Sequence, residues 1–534
     1  MKLDIIRQPD RVRAELEGNT VSLHAESGLW QAQGTALRVA QEENALRLTL
    51  LASDQPVRRI FLRWSRPVAS GRVMGDHWER GYGDMEWRGL VPERVLPWFF
   101  LHHDGTETCG AGVRTRPNEM CWWQLDQQGV TLAIDTRCGG MGVEIRSPLD
   151  LCTVCELTPD ASESAFAASR RLMRLLCTAS RLPKAPVYGG NNWYYAYGIS
   201  STEDILADAA RIARWSEGLT NRPFMVIDDG WQIQHGGGYN GGPWDASNAD
   251  YPDMRALADG IRAQNVRPGI WLRPLLTRKP VPDAWKLHNT LTEKDLRGGC
   301  VLDPTVPAVL DEVADMFRGL EAWGYELIKQ DFSSFDILGR WGMQYGATLT
   351  DDGWAFADRT KTTAMAIKDL YDAMRRGVSD DTLLMGCNTF PHLSAGVFEL
   401  SRTGDDTSGR FWERTRFMGV NTLAFRMPQH DIFQSCDADC VGLTRAVEWE
   451  KNALWLDILA RSGTPLFVSA APDAVGPEQE RALKAAFALA SQPHAPAEPL
   501  DWMTTTCPAV WHTDTGDFTY DWCGDFGAEP VYRD

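Results

Sequence analysis

The chain has 534 residues, 24% charged and 43% hydrophobic, with a formal net charge of −18 at pH 7. That length exceeds one ordinary hydrophobic core and predicts two or three domains. The acidic balance argues against nucleic acid and anionic membrane as partners, and no apolar run approaches the length of a membrane span.

The stretch Met1-Lys2-Leu3-Asp4-Ile5-Ile6-Arg7 lacks the apolar segment of a secretory signal. Twelve cysteines are scattered without pairing rhythm. Cys152 and Cys155 form one C-x-x-C, and zinc would need a second such pair, so free thiols and a cytoplasmic location are expected. Residues 1–182 read as an antiparallel β-sandwich with a linker helix. Leu46, Leu48 and Leu50 alternate with polar residues, as do Ile60, Leu62 and Trp64, and Val130, Leu132 and Ile134. Within this region Gly75–Trp87 (G-D-H-W-E-R-G-Y-G-D-M-E-W) is too polar and glycine-rich for a strand. It is either a surface loop or a loop reaching over a neighbouring site. Helical spacing follows over Ser162–Cys177, and Pro183 and Pro186 stop it.

From Val187 short apolar runs alternate with amphipathic helices. Strands are predicted at Val187–Gly190, Pro223–Ile227, Pro268–Trp271, Tyr325–Asp331, Thr382–Met385, Val397–Leu400, Asp431–Phe433 and Pro465–Val468. Helices are predicted between most of them, including a long one over Phe356–Arg376, and a short connection joins the fifth and sixth strands. Eight βα units over residues 183–492 predict a (β/α)8 TIM barrel, an α/β fold. A doubly wound sheet would carry a G-x-G-x-x-G turn, and Gly189-Gly190 lacks it. Residues 493–534 are too few for a full domain and are expected to form a small C-terminal β region.

In such a barrel the catalytic groups sit at the C-terminal ends of strands. Here those ends carry Asn191, Asn192 and Trp193, then Asp228, Asp229 and Trp231, then Trp271 and Arg273. Lys329 and Asp331 follow, then Cys387 and Asn388, then Arg402, Asp405 and Asp406, and in the seventh region His430, Asp437 and Asp439. Side-chain alternation places Lys329 and Asp331 on one face, where the cation keeps the acid ionised. Asp405 beside Asp406 raises the pKa of one member of that pair, although Arg402 can neutralise either. One ionised and one protonated acid at a barrel mouth suit glycoside cleavage. Metal coordination by Asp228, Asp331 and Asp405 is the second choice.

These segments, in order, resemble clan D of the glycoside hydrolases, the α-galactosidase clan. The likeness rests on Asn192-Trp193, I-D-D-G-W (Ile227–Trp231), G-I-W (Gly269–Trp271), I-K-Q-D-F around Asp331, G-C-N (Gly386–Asn388), R-T-G-D-D (Arg402–Asp406) and S-G-T-P-L-F-V-S (Ser462–Ser469). With W-E-R-G-Y-G-D in front, the chain looks more like family thirty-six than family twenty-seven. The resemblance implies a retaining α-galactosidase that needs no metal or organic cofactor. Asp331 matches the nucleophile. Asp405 matches the acid/base, with Asp406 as the alternative because the smaller family spaces its arginine as R-x-x-x-D. Asp228 and Asp229 match the pair that grips the 4- and 6-hydroxyls, and Lys329 a hydroxyl contact. Trp193, Trp231 and Trp271 would line the pocket, and Cys387 and Asn388 would read the 2-position. Arg402 would lie beside the acids, and Arg273, where an acid often stands, would favour an anionic or modified sugar. The expected partner is a small oligosaccharide or glycoside, with neither nucleic acid nor membrane, and a homo-oligomer is compatible with the sequence. A raffinose-synthase-type galactosyl transferase, an enzyme for a related sugar (α-N-acetylgalactosaminide, β-L-arabinopyranoside, α-glucoside) and a catalytically silent sugar-binding protein are the alternatives.

Overall fold

A computed structural model describes residues 3–68 and 70–530. The outermost ends of the first and third expected domains, residues 1–2 and 531–534, lie outside the described residues.

The period-two runs form strands whose inward residues carry the core. Leu46, Leu48, Leu50, Ile60, Leu62, Trp64, Val130, Leu132 and Ile134 have no solvent exposure. Two separate sandwich sheets were the expectation, but thirteen antiparallel strands between Arg11 and Leu157 pair as one continuous sheet. The reason lies in the strand Thr20–Glu26. Its first half pairs with Arg11–Leu16 and its second half with Leu29–Ala32, so the ladder passes from one half-sheet to the other. Opposite, Trp98 adopts φ 66°, donates its N–H to Cys121 O and accepts from Val113 N. It thereby ties Met120–Asp126 to Thr108–Val113, and the sheet nearly closes on itself, which leaves little unpaired edge.

The second half of the chain builds a nine-stranded parallel sheet. Its strands are β1 Tyr188–Asn191, β2 Phe224–Ile227, β3 Arg267–Leu272, β4 Leu327–Gln330, β5 Leu383–Gly386, β6 Leu400–Arg402, β7 Ser435–Asp437, β8 Cys440–Leu443 and β9 Leu466–Ala470. The spatial order is β7-β6-β5-β4-β3-β2-β1-β9-β8. The two edge strands, β7 and β8, are separated in the chain only by Ala438 and Asp439, so the sheet curls round until its edges meet at that bend. Asp439 makes the bend with φ 73°.

Six of the eight predicted runs lie on strands, and two do not fit. Val397–Leu400 overlaps β6 only at Leu400. Asp431–Phe433 is a turn: the N–H groups of Ile432 and Phe433 both bond to Gln429 O, so they are spent locally. The seventh strand falls instead on β7 and β8, whose runs S-C-D and C-V-G-L are too short to show a period-two signal. The long helix begins at Thr363 rather than Phe356, because the Thr362 side chain caps it by accepting from Met365 N. The short fifth connection holds only the one-turn helix Pro391–Ser394. At the end of the chain Glu498–Pro499, Val510–Thr513 and Gly516–Thr519 form a three-stranded sheet. Among the described residues no helix is long and apolar enough to cross a membrane.

His392, in the one-turn helix, ties the two sheets together. Its Nε2 bonds to Val113 O at 2.9 Å and its ring stacks on Trp98 at 4.8 Å. Burial pushes its pKa down to about 4. A pKa below the unfolded value of about 6.5 means that the neutral ring stabilises the fold fully above pH 6.5 and that this contribution is lost as pH falls toward 4. Denaturant unfolding at stepped pH should show a loss on the order of 2–3 kcal/mol over that window. His392→Gln should flatten this part of the profile, and an unchanged slope would refute the assignment.

Candidate active site

Polar side chains just beyond the ends of β2, β4, β5 and β6 converge on a cavity of about 280 Å³. Of the residues singled out from the sequence, Trp193, Asp228, Asp229, Trp271, Lys329, Asp331, Asn388, Asp405 and Asp406 line it.

Asp331 follows the last residue of β4, and its N–H bonds to Leu272 O on β3 at 3.0 Å, which fixes it at the strand end. Neutral donors hold its carboxylate. Trp271 Nε1 donates to Oδ2 at 3.1 Å, while Phe332 N, at 2.8 Å, and Asn388 N, at 3.3 Å, donate to Oδ1. Turned so that its polar atoms are satisfied, the Asn388 amide also donates to Oδ1 at 2.6 Å and accepts from Arg80. Lys329 does not pair with Asp331, as alternation along the strand implied. Its Nζ donates to Asp228 Oδ2 at 2.8 Å, because Asp228, at the end of β2, reaches across β3 to the same point. Asn191 Nδ2 donates to that same oxygen at 2.7 Å. Asp229 accepts from Gln232 Nε2 at 2.7 Å, and this carboxylate raises the pKa of His235 beside it.

The sixth strand end is governed by arginines. Arg80 meets Asp405 Oδ1 at 2.6 Å and Arg414 meets Asp405 Oδ2 at 2.9 Å, so both oxygens are taken. Asp406 uses only Oδ1, at 3.3 Å from Arg402 and 3.6 Å from Arg80. Its side chain is 38% exposed, against 8% for Asp405. Burial would raise the Asp406 carboxyl, but Arg402, Arg80 and Lys329 outweigh it and hold it down to about 2. The adjacent acids therefore do not face each other unscreened, as their sequence implied. Carboxylates already matched by Lys329, Arg80 and Arg414 are poor candidates for holding a cation.

Four expected pocket residues stand outside the lining. Trp231 has no exposure; its Nε1 donates to Trp271 O at 2.8 Å and its ring packs on Trp244, so it supports the wall from behind. Arg273 is buried against Asp336 at 3.0 and 3.1 Å, with Phe332 over its guanidinium, so it is spent on a structural pair. The anionic sugar that Arg273 suggested loses that support. Cys387 is buried, with Sγ 3.5 Å from Arg80 and 3.6 Å from Arg402. Arg402 is buried on Asp439 at 2.7 Å and touches the cavity only through Asp406. His430 bonds to Gly463 O and Cys436 N, within the core.

Sequence reasoning missed Arg80, Asn240, Phe332, Trp341, Met343 and Arg414, which complete the lining. The signal for Arg80 was the Gly75–Trp87 stretch, which does reach over the neighbouring site. Gly81 N donates to Thr403 O and Asp405 N to Gly81 O, splicing the loop onto the end of β6. Asn240, Phe332 and Trp341 lie in loop segments, Met343 in the short helical turn Gly342–Gln344 and Arg414 in the one-turn helix Trp412–Thr415.

No protein-family model matches the chain. Solved structures do. TtGalA, an α-galactosidase from Thermus thermophilus in complex with p-nitrophenyl α-D-galactopyranoside, is similar with TM-score 0.60 and 18% identity, covering 96% of this chain and 99% of that one. The GH36 α-galactosidase AgaB from Geobacillus stearothermophilus is similar with TM-score 0.58 and 14% identity over 91% of this chain and 75% of its own. The galactosidase domain of the α-galactosidase-sucrose kinase AgaSK gives TM-score 0.55 and 14% identity over 91% and 74%. At these identities the likeness is one of architecture, and the chain shares the fold of these α-galactosidases, family GH36 among them.

Proposed function

We propose that the chain is a retaining α-glycosidase that hydrolyses terminal α-D-galactosides on a (β/α)8 barrel, with residues 1–182 in front and 493–534 packed behind. The observation that carries this is Asp331: a carboxylate at a strand end, held by neutral donors and opposite a second acid across a cavity near the small end of ligand pockets. Among the described residues no cation pairs directly with it, so it stays free to attack. Asp331 forms a bond to the anomeric carbon as the glycosidic bond breaks, and the departing oxygen takes a proton from the second acid. That acid then takes a proton from water, whose oxygen displaces Asp331.

Asp406 is the acid/base in this reading, because one of its oxygens is free of arginine while both oxygens of Asp405 are occupied. Arg402, Arg80 and Lys329 hold Asp406 ionised. A sugar that draws Arg80 or Lys329 onto its hydroxyls lets it take up the proton needed for the first step. Asp405 then serves to hold Arg80 and Arg414. Asp228 and Asp229, with Lys329, grip the ring hydroxyls, and an axial 4-hydroxyl facing two acids favours galactose. The reading requires no metal or organic cofactor, and a cytoplasmic setting fits its unpaired cysteines.

A panel of nitrophenyl glycosides tests it. The α-D-galactoside should be turned over with the highest kcat/KM, ahead of the α-glucoside, α-N-acetylgalactosaminide and β-L-arabinopyranoside. No turnover of the α-galactoside, or a clear preference for another sugar, would overturn the assignment. Product analysis with excess sugar acceptor separates hydrolysis from transfer.

A further inference from the structure

The helix Pro307–Ala322 carries Glu312, Asp315, Met316 and Gly319 at spacings of three, four and seven, so they share one face, and Trp323 follows at the helix end. These five residues line a second cavity, of about 330 Å³. The rest of its lining comes from Pro243–Asp245, from Thr277, Lys279 and Val281, and from Leu302. None of these residues lines the catalytic cavity.

The walls are apolar and held from behind. Trp244 is buried, its Nε1 donates to Arg273 O at 3.0 Å, and its ring packs on Trp231 at 5.5 Å and on Trp271 at 5.7 Å. Trp323 is half-buried and meets Trp231 at 6.0 Å. Gly319 opens the helix side. A Cβ there would meet nothing within 4 Å, so packing does not demand glycine, although glycine weakens a helix. The space that its missing side chain leaves belongs to the cavity. The rim is acidic. Lys279 meets Glu312, and Arg318 meets Asp315. Asp245 is exposed and, among the described residues, forms no ion pair or hydrogen bond. In the lining, three carboxylates stand against the single ammonium of Lys279.

We propose that this cavity is a second ligand site and that it takes a small organic cation with an apolar body. An indole attracts a cation and buries hydrocarbon at once, and the unmatched carboxylate of Asp245 favours positive charge at the mouth. An anion of the same size would meet that acidic rim. The volume falls in the range of small-molecule pockets. The inference goes beyond the α-galactosidase reading and does not depend on it, because no residue assigned to catalysis lines this cavity.

Calorimetry on the full chain with benzyltrimethylammonium tests it, with phenylacetate as an anion of similar size. The cation should bind saturably, and the anion more weakly by about tenfold or more. Gly319→Leu fills the cavity from the helix side and should raise the Kd for the cation by about tenfold or more, the scale of one lost packing contact. Its thermal unfolding should stay at or above that of wild type. Asp245→Asn should raise the Kd about two- to fivefold, and its exposed position keeps the site testable if Gly319→Leu does not fold. No saturable binding of the cation, or equal affinity for phenylacetate, overturns the proposal. An unchanged Kd in folded Gly319→Leu overturns it too, since the cation would then be bound elsewhere, among the catalytic carboxylates. Each of these results leaves the α-galactosidase reading standing.

Discussion

Replacing Asp331 by alanine should lower kcat on nitrophenyl α-D-galactoside by about 10⁴-fold or more, because it removes the group that forms the covalent intermediate. Galactose should still bind in calorimetry, since Lys329 and Asn191 hold Asp228 and Gln232 holds Asp229 without Asp331. Asp331→Asn should fail equally while keeping one side-chain oxygen to accept from Trp271 or Phe332, which separates chemistry from folding. In wild type, a fluorinated galactosyl donor should label the peptide Tyr325–Asp331. Near wild-type turnover in either variant, or label elsewhere, would remove Asp331 as nucleophile.

The second large effect distinguishes the neighbouring acids. Asp406→Ala should cost about 10²–10⁴-fold on leaving groups that need a proton and far less on dinitrophenyl galactoside, which does not. Azide should restore activity by entering the space left by the carboxyl and yield a galactosyl azide. Asp405→Ala should instead lower both substrates together, because it releases Arg80 and Arg414 from the cavity wall. The opposite pattern, leaving-group dependence and azide rescue in Asp405→Ala, would transfer the acid/base role to Asp405.

The polar strand ends were legible because they stand at fixed points after apolar runs. Asp228, Asp229, Lys329, Asp331, Asn388, Asp405 and Asp406 all stand out in this way, and all reach one cavity. β7 and β8 were not legible. Their runs S-C-D and C-V-G-L are too short for a periodic signal, while the apolar Ile432 and Phe433 spend their backbone donors in a turn. The sandwich expectation failed for a related reason. Alternation fixes which face of a strand is buried, but not whether Thr20–Glu26 pairs with one neighbour or bends to pair with two.

The sequence by itself determined the class of fold, the order of its polar strand ends and the acids offered for catalysis, since these follow from local periodicity and spacing. Tertiary structure decided the partners. Lys329 neutralises Asp228 rather than Asp331, because the ends of β2 and β4, on either side of β3, come together inside a curled sheet. Arg80, more than three hundred residues away in the chain, reaches Asp405, and Arg273 and Trp231 turn away into the core. Charge pairing depends on distance in space. Alternation within one strand gives only the shared face, and the pairing is set when packing brings the other strands and loops alongside.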